Sequence, residues 1–332
     1  MVAKLKQCLV WVVALGLCSH ALAETTFSKL VIFGDSLSDT GNVAGAITPN
    51  LPPPYFQNRI SNGPVAVDVL ANQLGLDAAA AATGGGNFAI VGGNILGDNL
   101  ADLSRQIDRF IARDGATVDP ATLFVVFMGG NDFRDLRAQT NPDLAAAQID
   151  AILAALQASI SRLISAGAQN LLIVNAPDIG RIPQTLMLQT TDPNVASRAS
   201  SYVVQYNALL AQRLQQIEES SSVTVFQFDL FSQLNRILDN PGEFGFNVIS
   251  VGCLDPGDDF NPLNFSFDPR CDSGLFPLIQ PDFSGFAFFD SVHPTTATHA
   301  LVGAAMAESL VQPMPQSRVD LTAMLLLLLF DD

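Results

Sequence analysis

The segment VIFGDSLSDTGN, Val31 to Asn42, sets a serine in a turn directly after an apolar run. Gly, Asp, Ser and Asn are ordinary turn formers, so Ser36 alone says little. Three further segments change its meaning. A glycine pair, Gly92 and Gly93, follows the apolar NFAIV; GGND (129–132) closes another apolar run; DSVHP (290–294) sets Asp290 and His293 three residues apart. A serine hydroxyl is a weak nucleophile until a base takes its proton, and imidazole titrates in the range that allows this. The imidazole needs a carboxylate to hold its tautomer. The oxyanion formed in acyl transfer is stabilised by preorganised N–H donors, which glycine amides and the Asn131 side chain can supply. Each piece alone has a plainer reading: GGND as an Asx turn, DSVHP as a capped helix entry. Histidine narrows the choice. Of three in the chain, His20 lies in a leader-like N-terminus and His299 on an Ala-rich helical face that reads as structural, which leaves His293 as the base.

These residues need a frame that brings them to one edge. Buried strands are predicted at 29–34, 122–129, 170–175 and 223–229, with a shorter one at 87–91. Between them lie amphipathic segments. In 142–166, Ile149, Ile152, Leu153, Leu156, Ile160, Leu163 and Ile164 recur at spacings of three and four, with Pro142 suited to the first turn and Gly167 to the C-terminal cap. A second helix, 195–218, carries Tyr202, Tyr206, Leu209, Leu210 and Ile217 on one face. Continuous apolar strands alternating with helices predict an α/β fold, a parallel sheet covered on both sides. In such sheets ligands bind beyond the carboxyl ends of the strands, where Ser36, the glycine pair and GGND fall. The Gly-rich GGGNFA (84–89) resembles a dinucleotide-binding loop, but it precedes a strand instead of following one and is read as a plain loop.

Composition removes several function classes. The formal charge is −16, and a surface of that sign repels nucleic acid. Such acidity suits salty surroundings as well as ordinary secretion. The N-terminus reads as a secretory leader over 1–23: Lys4 and Lys6, the apolar CLVWVVALGL, then Ala21-Leu22-Ala23 as a cleavage site. Neither that stretch nor the C-terminal AMLLLLLFDD reaches the roughly 20 residues of a spanning helix, so no stable membrane span is expected. Removing the leader removes Cys8 and Cys18. Cys253 and Cys271 remain, and in an oxidising compartment they predict a disulfide, the alternative being two buried thiols. No Cys or His cluster has metal-ligand spacing, and neither metal nor cofactor is expected.

FGDSLSDTGN, the glycine pair after NFA, GGND and DSVHP stand in the order found in the GDSL or SGNH hydrolases. RISNGPVAVDVLANQLGL (59–76), VNAPDIG (174–180), YNALLAQRL (206–214) and DLFSQLNRILDNPGEFGF (229–246) also resemble the secreted bacterial esterase, lipase and lecithinase branch, so the likeness covers nearly all of 28–312. It implies a single-domain three-layer α/β/α sandwich with a five-stranded parallel sheet over 24–312, leaving 313–332 as a tail without an assigned role. It implies Ser36 as nucleophile, His293 as base and Asp290 as its partner. The oxyanion hole would be the Ser36 amide, a glycine of the second motif and Asn131. Both Ile90 and Val91 intervene where the family usually has one residue, so the donor lies between Gly92 and Gly93, and Gly93 is favoured because the loop leaves the strand after it. The expected substrate is an acyl ester or lipid, the protein a monomer, secreted or periplasmic. Phospholipid acyl transfer and polysaccharide deacetylation are the alternative reactions, and a non-catalytic binding module is disfavoured by the intact set.

Overall fold

A computed structural model of the chain describes residues 27–43, 50–115, 118–255, 265–272 and 274–311. The leader, the tail, Cys8, Cys18 and His20 lie outside the described residues. Strands β1 (Lys29–Gly34), β2 (Thr122–Phe127), β3 (Asn170–Val174) and β4 (Thr224–Phe228) pair in parallel in that order. Gly34, Phe127, Val174 and Phe228 are in register, so the chain leaves all four strands at one edge.

Alternation along the strands gives the sheet two apolar faces. Val31, Phe33, Phe124, Val126, Leu171 and Ile173 pack under helices α2 (Leu103–Asp114), α3 (Gly130–Leu136), α4 (Pro142–Ser165) and α6 (Val195–Ser220). Leu30, Ile32, Leu123, Val125 and Leu172 pack on the other side under α1 (Ala66–Gln73) and α8 (Thr296–Val311). Two further helices, α5 (Pro183–Leu188) and α7 (Leu230–Asp239), follow β3 and β4. The three-layer α/β architecture is thus as expected, and α4 begins and ends where its signals placed it. Asn141 caps its first turn by accepting from Asp143 and Leu144 N–H, and Gly167 follows with φ +105°. Among the described residues α4 is the one helix long and apolar enough to cross a bilayer, but Ile149, Ile152, Leu153, Leu156 and Ile160 are buried in the core.

The predicted fifth strand at 87–91 differs. It runs beside β1, with Ile32 N–H donating to Gly86 C=O, Phe88 N–H to Ile32 C=O and Ile90 N–H to Gly34 C=O, yet it forms a single bridge with β1, Ile32 with Asn87. The buried side chain of Gln106 from α2 takes the next ladder position. Its Oε1 accepts from Gly34 N–H at 2.9 Å and its Nε2 donates to Gly34 C=O at 2.7 Å. A side chain thus takes the Gly34 N–H and shares Gly34 C=O with Ile90 N–H where β1 ends, and the main sheet has four strands.

A small lobe completes the described chain: β5 (Val248–Gly252), β6 (Leu254–Asp255), β7 (Ser266–Phe267) and β8 (Phe286–Phe288), with β5 beside β8 and β6 beside β7. Cys253 and Cys271 are joined by a disulfide within it, as the cysteine count predicted.

Candidate active site

Ser36 sits in the turn that leaves β1, where Ser38 and Asp39 N–H both donate to Asp35 C=O. Between β8 and α8 the chain folds back on itself: Phe289 N–H donates to His293 C=O, and Asp290 Oδ1 accepts from the N–H of Val292 and His293, both at 2.7 Å. That turn presents the imidazole. His293 Nε2 lies 2.8 Å from Ser36 Oγ, across 257 residues of sequence, and His293 Nδ1 lies 2.9 and 2.8 Å from the two Asp290 carboxylate oxygens. Nδ1 facing a carboxylate carries the proton, which leaves Nε2 to accept from the serine hydroxyl. All three side chains are buried. Gly252 of β5 backs this turn so closely that a Cβ there would lie 2.3 Å from the Asp290 carbonyl carbon, so only glycine fits.

GGND leaves β2 through Gly129 (φ +129°) into α3. Asn131 is brought beside the glycine pair: its Nδ2 donates to Gly93 C=O at 2.9 Å. The Gly93 amide, favoured above as a donor, is otherwise engaged, since it donates to Ile90 C=O at 3.1 Å in a tight turn. Gly92 occupies the left-handed position of that turn at φ +80°, and its amide has no bonded partner among the described residues. Within this turn the Gly93 amide is hydrogen-bonded and the Gly92 amide is not. A cavity beside Ser36 and Asn131 is walled mainly by apolar side chains, among them Ile179, Ile182, Leu230 and Phe288.

Two buried carboxylates tie these loops together and a third braces the serine turn from within, and none of the three was assigned that task from the sequence. Asp39 accepts from the N–H of Gly41, Asn42, Val43 and Val91, tying the serine loop to the glycine turn. Asp132 accepts from Ile95 and Leu96 N–H, tying GGND to the same loop. Asp35 accepts from Leu37 N–H. Burial raises all three, Asp35 and Asp39 to about 6 and Asp132 to about 7, against the lowering effect of those N–H donors. The only signal available was an excess of Asp in loops that also carry Gly and Asn. His299 is buried on α8 as expected of a structural histidine, its Nδ1 accepting from Ala66 N–H at 3.2 Å. Among the described residues no group of His, Cys, Asp and Glu is arranged to hold a metal.

The model of GDSL-like lipases and acylhydrolases matches residues 30–306. The chain belongs to that family. Membership makes it a carboxylic ester hydrolase of the GDSL type. Several relatives run nearly end to end with it. A phosphatidylcholine-sterol acyltransferase of Aeromonas hydrophila is 28% identical, covering 88% of this chain and 92% of the relative. A GDSL esterase/lipase of Arabidopsis thaliana is also 28% identical, over 86% of this chain and 90% of its own. A thermolabile hemolysin of Vibrio parahaemolyticus is 27% identical over 87% of this chain, which spans 65% of that longer protein. Among solved structures, an acetylxylan esterase of Geobacillus stearothermophilus aligns with 85% of this GDSL chain and 93% of its own, at 14% identity and a TM-score of 0.45.

Proposed function

We propose that this protein is a secreted serine esterase or lipase that cleaves acyl esters through Ser36, His293 and Asp290. The observation that carries the reading is the 2.8 Å separation of His293 Nε2 from Ser36 Oγ, with Asp290 on the other ring nitrogen. Ser36 Oγ attacks the ester carbonyl carbon as its proton passes to Nε2. The tetrahedral oxyanion lies against the Ser36 amide, the Asn131 side-chain N–H and, in place of Gly93, the Gly92 amide. Its collapse breaks the ester bond, and the imidazolium returns the proton to the departing alkoxide, leaving an acyl-enzyme on Ser36. Water, deprotonated by His293, then releases the acid. The apolar cavity beside Ser36 suits an acyl chain.

A leader removed after residue 23 would send the chain to the periplasm or beyond, where the Cys253–Cys271 pair suits the redox conditions. The likeness to a phosphatidylcholine-sterol acyltransferase over 88% of this chain favours one further reading, transfer of the acyl group from a phospholipid to an alcohol instead of water. The same acyl-enzyme serves both.

Ser36→Ala is expected to abolish turnover while leaving the circular dichroism spectrum unchanged. A phosphonate probe should label Ser36 alone, and labelling of another serine would end the assignment. An ester panel of rising chain length, with phospholipid and acetylated-sugar members and an added alcohol acceptor, then separates hydrolysis, transfer and deacetylation.

A further inference from the structure

Asn131 presents a chemical ambiguity. Its oxygen and nitrogen are nearly the same size, and only one rotation of the amide turns an N–H toward a developing oxyanion. The opposite rotation would aim a carbonyl oxygen there and repel it. Gly93 C=O, which accepts from Nδ2, favours the useful rotation from one side. From the other side Arg134, one turn further along α3, donates Nη1–H to Asn131 Oδ1 at 3.0 Å. A flipped amide would set Oδ1 against the Gly93 oxygen and Nδ2 against the guanidinium, so both contacts would become repulsive.

We propose that Arg134 is a positioning residue that locks the Asn131 amide with one N–H free for the oxyanion, a role that rests on the assignment of Asn131 to the oxyanion hole. The guanidinium is itself held. Its Nε donates to Gln184 Oε1 at 3.1 Å, and the same oxygen accepts from Arg137 Nη2 at 3.0 Å. Gln184 N–H in turn donates to Ser291 C=O at 2.8 Å, inside the turn between Asp290 and His293. One chain of hydrogen bonds thus runs from the oxyanion side chain to the loop that carries the base, and α5 fixes the distance between them. A charged donor on Oδ1 also polarises the amide, which strengthens its N–H groups.

The test is a double-mutant cycle in the full chain, with steady-state kinetics on p-nitrophenyl butyrate and thermal melts to establish folding. Asn131→Ala alone is expected to lower kcat by roughly 10²–10³. Arg134→Met alone should lower kcat about tenfold, with KM changed less than about twofold, since the lost function appears in the transition state. In the Asn131→Ala background Arg134→Met should have no further effect, because its action passes through the missing amide. Arg134→Lys keeps a donor for Oδ1 without the bond to Gln184 and should fall between; the same cycle run with it decides the matter if the methionine variant does not fold. An equal loss of kcat in both backgrounds would overturn the inference, as would a raised KM at unchanged kcat, the mark of a guanidinium that binds substrate. Full activity of Asn131→Ala would remove the oxyanion assignment and this inference together. Loss in Asn131→Ala with an unaffected Arg134→Met would remove this inference only.

Discussion

Asp290 does two jobs with one carboxylate. Its Oδ1 accepts the N–H of Val292 and His293, which shapes the turn, and both oxygens face His293 Nδ1, which in the proposed mechanism sets the tautomer. An amide in its place would keep a polar group of the same shape but offer an N–H where Nδ1–H needs an acceptor. The imidazole would then favour a proton on Nε2, and the base would face Ser36 as a donor. Asp290→Asn is therefore expected to fold, to keep KM and to lose kcat by about 10³–10⁴, the scale on which a wrong tautomer acts. Kinetics with a melting curve check it; near-normal kcat would mean that Asp290 serves the turn alone.

Gln106 matters at the scale of the elements because it ends a sheet. Its amide meets both polar groups of Gly34 and also Ala101 C=O, joining the last residue of β1 to α2 and to the loop after the glycine pair. Ser36 lies two residues beyond that anchor. Gln106→Leu would keep the bulk and strand the Gly34 N–H in the core, a loss on the order of 2 kcal/mol for a buried donor left unpaired. Urea unfolding should register that loss, and kcat should fall with it because the serine turn is attached to the slackened strand end. Unchanged stability would show that residues 87–91 zip onto β1 once the side chain is gone.

The whole molecule carries buried ionisable groups of both kinds, and they act in opposite senses. Burial, helped by the nearby His293, pushes the His299 imidazole down to about 3 from its usual 6.5. Between those values the unfolded chain binds a proton that the folded chain refuses, so stability present above pH 6.5 is lost as pH falls toward 3. The raised carboxylates of Asp35, Asp39 and Asp132 do the reverse: they lower stability as pH climbs from the ordinary carboxylate range to about 6 or 7. A comparison of wild type with His299→Asn cancels the carboxylates, which both proteins keep. Asparagine retains an acceptor for Ala66 N–H but no titrating group. Between pH 7 and pH 4 the variant should lose less stability than wild type, by on the order of 2–3 kcal/mol. Urea unfolding at the two pH values measures the difference, and parallel losses would show that His299 protonates freely in the folded chain.

What the amino-acid sequence determined by itself was local: apolar runs that become β1 to β4, the spacing and caps of α4, the kinds of chemical group in four turns, and the short step from Asp290 to His293. Each is written in neighbouring residues, because strand burial, helix periodicity and turn chemistry are short-range properties. The tertiary structure decided which groups face one another. Ile90 C=O captured the Gly93 amide and left Gly92's open; Gln106, 72 residues from Gly34, displaced a fifth strand; Gln184, 50 residues from Arg134, joined the two sides of the site. No pattern along the chain records such pairings. A buried N–H or C=O must find a partner, and only packing shows whether backbone or a distant side chain arrives there.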